Sequence, residues 1–307
     1  MFFRNLTVFR FDPALKKAFD QIEETLDEFR LKPVGPVEPM SRGFVSPFGR
    51  DRPALSHRIG AGLWLTLGGE DRLLPSSVVH EELQRKLVQM EEQQGRKPGG
   101  RARKRLKEDI IHELLPRAFV RPSRLDAWLD MDLGVVAVDS SSRKAAEGFV
   151  TELRHALGSF PALPLNAESS PRALMTGWIA GEPLPEGFAI GDEAELRDPI
   201  DGGAVVKYQR QELHGDEIRQ HLEAGKQVSR LALSFDEHVS FVLGEDLVLR
   251  KLKFLDGAVE DLENSERDSL EAELDARFAL MSAELAKLVV ALERALKLSR
   301  PQDQDAR

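Results

Sequence analysis

The sequence predicts an α+β fold of antiparallel sheets with packed helices, a projecting helical hairpin and one long C-terminal helix. Three observations lead there. Short β-rich runs alternate with amphipathic helical stripes along most of the 307 residues. In the last third, strand patterns follow one another across tight turns, as in an antiparallel meander. A final stripe keeps helical spacing without a break from Leu270 to Leu296.

Asn5 to Phe11 reads as a strand, and Asp12-Pro13 then supplies a cap with proline in the first helical turn. Leu15, Phe19, Ile22, Leu26 and Phe29 recur at spacings of four, three, four and three, which commits one face of that helix to a core. Prolines and glycines dominate residues 32 to 52, so a long loop is expected there. Strands are expected over 55–59 and 63–67, joined near Gly60, with a turn at Gly68-Gly69. Beyond Pro116 come strands over 124–131 and 135–139 about a turn at Asp132 to Gly134, then a helix from Ser142 to Leu157 stopped by Gly158. Phe160 to Glu168 is a proline-containing connection and a candidate boundary near residue 166. A short helix starts at Ser170-Pro171, and a loop follows from Gly181 to Gly187. Strands over 203–211, 228–235, 239–243 and 247–254, with a helix over 216–224, suggest an antiparallel sheet. The stripe Leu270, Leu274, Phe278, Met281, Leu285, Leu288, Leu292, Leu296 makes the last helix, with Ser265 and Asp268 placed to cap it. The polar tail from Ser299 is expected to be disordered.

Between the two halves of the first domain lies the hairpin. Val79, Leu83, Leu87 and Met90 mark one amphipathic helix, with Ser76 or Ser77 as its cap after Pro75. Leu106, Ile110, Ile111, Leu114 and Leu115 mark a second, which Pro116 stops. Pro98, Gly99 and Gly100 break the chain between them, giving a projection of about 25 Å. Its tip is basic. Gly95 to Lys107 holds Arg96, Lys97, Arg101, Arg103, Lys104, Arg105 and Lys107, seven cations and no acid in thirteen residues. The chain carries 43 Lys and Arg against 52 Asp and Glu; without these seven, 36 cations face 52 acids, a balance of −16. A concentrated positive field attracts a polyanion while the acidic remainder repels it elsewhere. An isolated basic run also suits a solvated loop; its seat on a projecting hairpin favours a ligand. The length suggests several domains: residues 1–75 with 117–165 as a central α+β domain, 76–116 as a projecting tip and 166–307 as a base.

Composition excludes several classes of function. Apolar content of 41% and charged content of 31% describe a soluble globular chain, and no window approaches eighteen unbroken apolar residues. The opening MFFRNLTVFRF is interrupted by Arg4, Asn5 and Arg10 and makes no signal peptide. The absence of cysteine rules out disulfides, thiol catalysis and cysteine-held zinc, and fits a cytoplasmic protein. A net charge of −9 argues against a histone-like coat, so nucleic-acid contact must come from a local surface.

Enzyme signatures are scarce. His80-Glu81 and His112-Glu113 each begin like a zinc-protease pattern, but Gln84 and Pro116 stand where the second histidine is needed. His214 and His221 lack a third ligand. No phosphate-binding GxxxxGK[ST] or dinucleotide GxGxxG is present. Asp130 and Asp132, with Asp139 nearby, leave open a metal-dependent nuclease, and the Leu270 to Leu296 helix leaves open a protein-binding adaptor. The favoured expectation is a DNA-binding protein without catalytic residues, metal or cofactor. A second set of cations lies on strand candidates: Lys207 and Arg210 in AVVKYQRQ, Lys251 and Lys253 in LVLRKLKF. Aromatics make only 7% of the chain and none interleaves with the cations, so backbone contact with weak sequence preference is expected.

Several blocks resemble, in order, the recombination-associated RdgC family. They are NLTVFRF near the start, the LLPSSVV entry to the hairpin, the basic linker, LLPRAF (Leu114 to Phe119), LGSFPALPL, DEAEL (Asp192 to Leu196), HLEAGKQVSRLALSF (His221 to Phe235) and LKFLD (Leu252 to Asp256). The resemblance covers nearly the whole chain, to about residue 296. It implies a nucleoid-associated, non-enzymatic protein that forms a ring-shaped homodimer around duplex DNA, with little sequence preference, and restrains the recombinase RecA. By position it assigns Arg96 to Lys107 to the projecting domain, Arg117 and Phe119 to its junction, and Lys207, Arg210, Lys251 and Lys253 to an inner surface. Around Lys207 to Arg210 the spacing departs from the family by about one residue. Phe119, between Arg117 and Arg121, is the candidate for closing the dimer.

Overall fold

The computed structural model describes residues 2–49, 52–95, 98–200, 203–263 and 269–299. The first elements are β1 (Thr7–Arg10), a 3-10 segment (Pro13–Phe19), α1 (Ile22–Glu28), β2 (Met40–Val45), β3 (Ser56–Ile59) and β4 (Gly62–Leu73). Next come α2 (Ser76–Gln94), α3 (Gly100–Leu114), β5 (Phe119–Asp130), β6 (Val135–Val138), α4 (Arg143–Leu157), β7 (Leu163–Pro164) and α5 (Pro171–Ala180). The remainder is β8 (Phe188–Arg197), β9 (Val205–Gln209), α6 (Asp216–Glu223), β10 (Gln227–Phe235), β11 (Val239–Gly244), β12 (Leu249–Phe254), α7 (Asp256–Glu263) and α8 (Leu270–Leu296). Two compact units result, one of Met1–Glu28, Ser46–Thr66 and Leu125–Arg307, the other of Phe29–Val45 and Leu67–Arg124.

In the first unit, β1 pairs antiparallel with β6 from Thr7↔Val138 to Arg10↔Val135, and β6 pairs with β5 from Ala127↔Val138 to Asp130↔Val135. Asp12 caps the 3-10 segment through Ala14 N at 2.9 Å. The stripe expected to run unbroken to Phe29 is divided here. The tighter i→i+3 winding ends at Phe19, which packs on Phe11 and Phe160 with ring centroids 6.1 and 5.7 Å away. After it α1 buries only Ile22 and Leu26. Ser142 and Gly158 bound α4 as expected, and its Phe149 and Leu153 are fully buried.

A second sheet in this unit has the order β12-β11-β10-β8-β9, every neighbour antiparallel. Strand β8, not expected from the sequence, lies between β10 and β9. Its Gly191, Asp192, Glu193 and Glu195 oppose strand formation locally, and pairing on both edges overrides that preference. Helix α7 was likewise unexpected.

Helix α8 starts at Ser269, whose side chain accepts from Ala272 N; Ser265 and Asp268, expected to cap it, lie outside the described residues, as does the tail beyond Ser299. Its stripe is spent inside the chain. Phe278, Met281, Leu285, Leu288 and Leu292 join one core with Val8, Trp64 and Trp128 of the first sheet and Leu231 and Leu243 of the second. Phe278 stacks on Trp64 at 5.6 Å, and Trp128 Nε1 donates to Ser282 Oγ at 2.6 Å. The apolar face that would serve a protein-binding adaptor is therefore occupied, which corrects that alternative.

The second unit corrects three further expectations. Residues 32–52 are not all loop, because β2 neighbours β4 there. On β2, Gly43 lets the segment after α1 lie close against the strand: a Cβ on it would lie 2.5 Å from Leu31 Cα. Gly68-Gly69 forms no turn, since β4 runs straight through. A Cβ on Gly68 would lie 2.6 Å from Val45 Cγ1, so close packing, not chain reversal, calls for glycine there. Helices α2 and α3 meet through Val79, Leu83 and Ile110. Pro75, not Ser76 or Ser77, holds the cap position of α2. The Arg72 guanidinium ties the return of the chain, donating to the carbonyls of Gly35 at 3.1 Å and Leu115 at 3.2 Å.

Candidate nucleic-acid interface

Arg101, Arg103, Lys104, Arg105 and Lys107 occupy the first half of α3, and all five are exposed. Arg96 and Lys97 lie outside the described residues. Helical spacing stacks Arg101 over Arg105 on the outward side, while Arg103 and Lys107 flank the inward line of Leu106 and Ile110. Exposed Glu108 and Asp109 follow the cations on α3, and two acids of the helix pair are committed to other cations. Glu82 pairs with Arg85 and Glu113 with Lys86, each at 2.6 Å. The Lys86 ammonium holds the Glu113 carboxyl below the usual range, and Glu82 raises Arg85. Among the described residues no carboxylate pairs with the five α3 cations. Like charges three and four residues apart repel, so an anion arriving here relieves strain as well as forming contacts.

The second group lies in the other unit, on the face of the second sheet away from the core. Lys207 of β9 and Lys251 and Lys253 of β12 are exposed there. The same face carries Arg197, Arg230 and Arg250, which sequence reasoning missed. Arg230 was legible, because in β10 it alternates with Leu231 and Leu233, both buried. Arg197 was not, since β8 was unrecognised. Counter-ions are built into this surface. Glu195 lies 3.0 Å from Arg197, 3.5 Å from Lys207 and 3.9 Å from Arg230, while Glu193 holds Lys251 at 2.6 Å. Burial alone would push the Glu195 carboxyl up; hydrogen bonds from Arg197 and Ser229 and the charges of Arg230 and Lys207 outweigh it and hold it low. Asp246 follows the same pattern, its burial outweighed by Arg250. Arg210 stands apart. It follows β9 in a left-handed conformation, φ 57°, and lines a separate pocket with Asp192, Glu212 and His214.

Arg117 ends a 3-10 turn, Leu115–Arg117, and is exposed. Phe119 opens β5 with 84% of its surface exposed, beside the half-exposed Val120. Two of the aspartates considered for a metal, Asp130 and Asp139, serve the backbone. Asp130 accepts the N–H groups of Asp132 at 3.0 Å and Leu133 at 2.9 Å, closing the β5–β6 turn. Asp139 accepts those of Arg4 at 2.9 Å and Asn5 at 2.8 Å; burial pushes its carboxyl up, partly offset by these bonds. Among the described residues no three His, Asp or Glu side chains form a group able to hold a metal ion. No helix among them is long and apolar enough to cross a membrane.

A family model described as "Putative exonuclease, RdgC" matches residues 1–299. A protein named Recombination-associated protein RdgC from Xanthomonas axonopodis pv. citri (strain 306) is 65% identical over 301 residues, 98% of this chain and 99% of the relative. Its namesake in Xanthomonas campestris pv. campestris (strain B100) is 64% identical with the same coverage, and that of Stenotrophomonas maltophilia (strain R551-3) is 58% identical. A match of this extent, together with two antiparallel sheets, the paired helices and a long C-terminal helix, shows that the chain belongs to the RdgC family of recombination-associated proteins.

Proposed function

We propose that this chain binds duplex DNA with little regard to sequence, without catalysis or cofactor. In this reading a ring-shaped homodimer encircles the helix, associates with the nucleoid and limits access of the recombinase RecA. The observation that carries it is the run of exposed cations on α3, with no carboxylate partner among the described residues, in a chain of net charge −9. Such a surface makes salt-dependent phosphate contacts and reads no bases. Arg96, Lys97 and Arg117 extend the same basic region in sequence, and Lys207, Arg210, Lys251 and Lys253 supply a second set. Residues 76–116 act as the tip, 1–75 with 117–165 as the centre and 166–307 as the base. Phe119, too exposed for a monomer's core, closes the dimer.

The test compares linear with covalently closed circular duplex in gel shifts. A closed ring retains the circle after a salt wash that strips the linear form, because a threaded topology gives no end to slide from. Equal loss from both rejects encirclement. The family description favours a second reading, an exonuclease. Incubation of end-labelled duplex with magnesium or manganese decides it: shortened strands, lost in Asp130→Asn and Asp132→Asn, replace the non-enzymatic reading.

A further inference from the structure

A groove of about 670 Å³ opens between the first turns of α2 and α3. Ser76, Ser77 and His80 line it from α2, and Arg103, Lys104 and Lys107 from α3. Helices lying side by side in antiparallel fashion would separate their first turns by the length of an arm, about 28 Å for the 19 residues of α2. Here residues from both starts line one wall, and the helices meet at Val79, Leu83 and Ile110. The Lys86–Glu113 ion pair also joins them.

The lining has one chemical character. Three cations without a carboxylate partner among the described residues face two hydroxyls and an imidazole, and no acid lines the groove. Neither helix start is closed by a side chain, since Pro75 and Gly99 occupy the cap positions. The first helical bonds run from Val78 N to Pro75 O and from Arg103 N to Gly99 O, so among the described residues the amides of Ser76, Ser77 and Gly100 have no acceptor. A concave, donor-rich and cationic wall suits an oxyanion such as phosphate.

We infer that this groove seats a phosphate group, held by α2 as well as α3. Its source rests on the DNA reading above: a phosphodiester of the duplex backbone, with free phosphate as the other origin of the same chemistry. Ser76, Ser77 and His80 thereby join the interface.

The experiment uses the full chain. Amide resonances are followed by ¹⁵N NMR during titration with inorganic pyrophosphate, and affinity for a short duplex is measured in parallel. Shifts concentrated at Ser76, Ser77 and Gly100 are expected. The Ser77→Asp variant puts a carboxylate in the groove while suiting the start of a helix, so its fold is retained. It should abolish those shifts, weaken duplex binding about 3- to 10-fold at low salt and make the salt slope shallower by about 1. Pyrophosphate shifts absent from these amides overturn the site, whatever the DNA result. Shifts present with Ser77→Asp binding duplex like the wild type overturn the backbone source. Shifts present in a wild-type chain that ignores duplex overturn the DNA reading and leave the phosphate site standing.

Discussion

Replacing Arg101, Arg103, Lys104, Arg105 and Lys107 together by Gln separates the proposed DNA binding from folding. All five are exposed on α3 and none has a carboxylate partner among the described residues, so each change should move stability by less than about 0.5 kcal/mol. Removing like charges at helical spacing acts, if anything, toward greater stability. Binding should respond strongly. Each phosphate neutralised adds about 0.9 to the slope of log affinity against log salt, so five contacts add up to about 4.5. Between about 50 and 200 mM salt that difference amounts to roughly 2.7 decades, or about 500-fold in relative affinity. Fluorescence anisotropy on two duplexes of unrelated sequence, across a salt series, reads it directly. Wild type should give the steeper line, equally for both duplexes, because phosphate contacts carry no sequence information. Parallel lines for wild type and variant, or a loss confined to one sequence, would refute the reasoning.

Three further outcomes follow from particular residues. Glu195→Gln should cost about 1–2 kcal/mol at neutral pH by weakening the charge-assisted bonds from Arg197 and Ser229. Because the folded carboxyl lies below its unfolded value of about 4.3, that stability is present above this pH and lost as pH falls through the folded value. The gap in melting temperature between wild type and variant should therefore close in acid, and a constant gap counts against the ion-pair account. Gly43→Ala sets a Cβ 2.5 Å from Leu31 backbone and should cost more than about 2 kcal/mol in thermal melts; an unchanged melt means the strand approach is looser than described. Phe119→Ala should leave the folding of the single chain intact, since the ring is 84% exposed, yet weaken the proposed dimer in analytical ultracentrifugation. An undiminished dimer rejects the interface role.

Much of this architecture is local, and so was legible in order. Asp12-Pro13, Ser142 with Gly158 and Ser170-Pro171 mark helix ends through their own backbone preferences. Asp236 and Glu237 take left-handed conformations in the tight turn between β10 and β11, where a meander turn was expected. Charge segregation around residues 95–107 is likewise a property of the chain alone, as is the family likeness. The failures share a cause. Strand β2 hides among prolines and glycines, β8 among acids, and Gly68-Gly69 mimics a turn, because each depends on a neighbour distant in sequence.

The sequence by itself determined that this is an acidic α+β chain with one concentrated basic segment, a pair of helices around it and a long amphipathic helix at the end. Periodicity and capping are set by contacts within a turn or two, so one strand of text suffices to read them. Only the tertiary structure decided that the long helix spends its apolar face between two sheets, that Arg197 and Arg230 join Lys207 on one surface with Glu195 as their counter-ion, and that the starts of α2 and α3 open into a common groove. These outcomes hinge on which elements cross and at which residues. That geometry is chosen by burial of the whole core, and no local pattern encodes it.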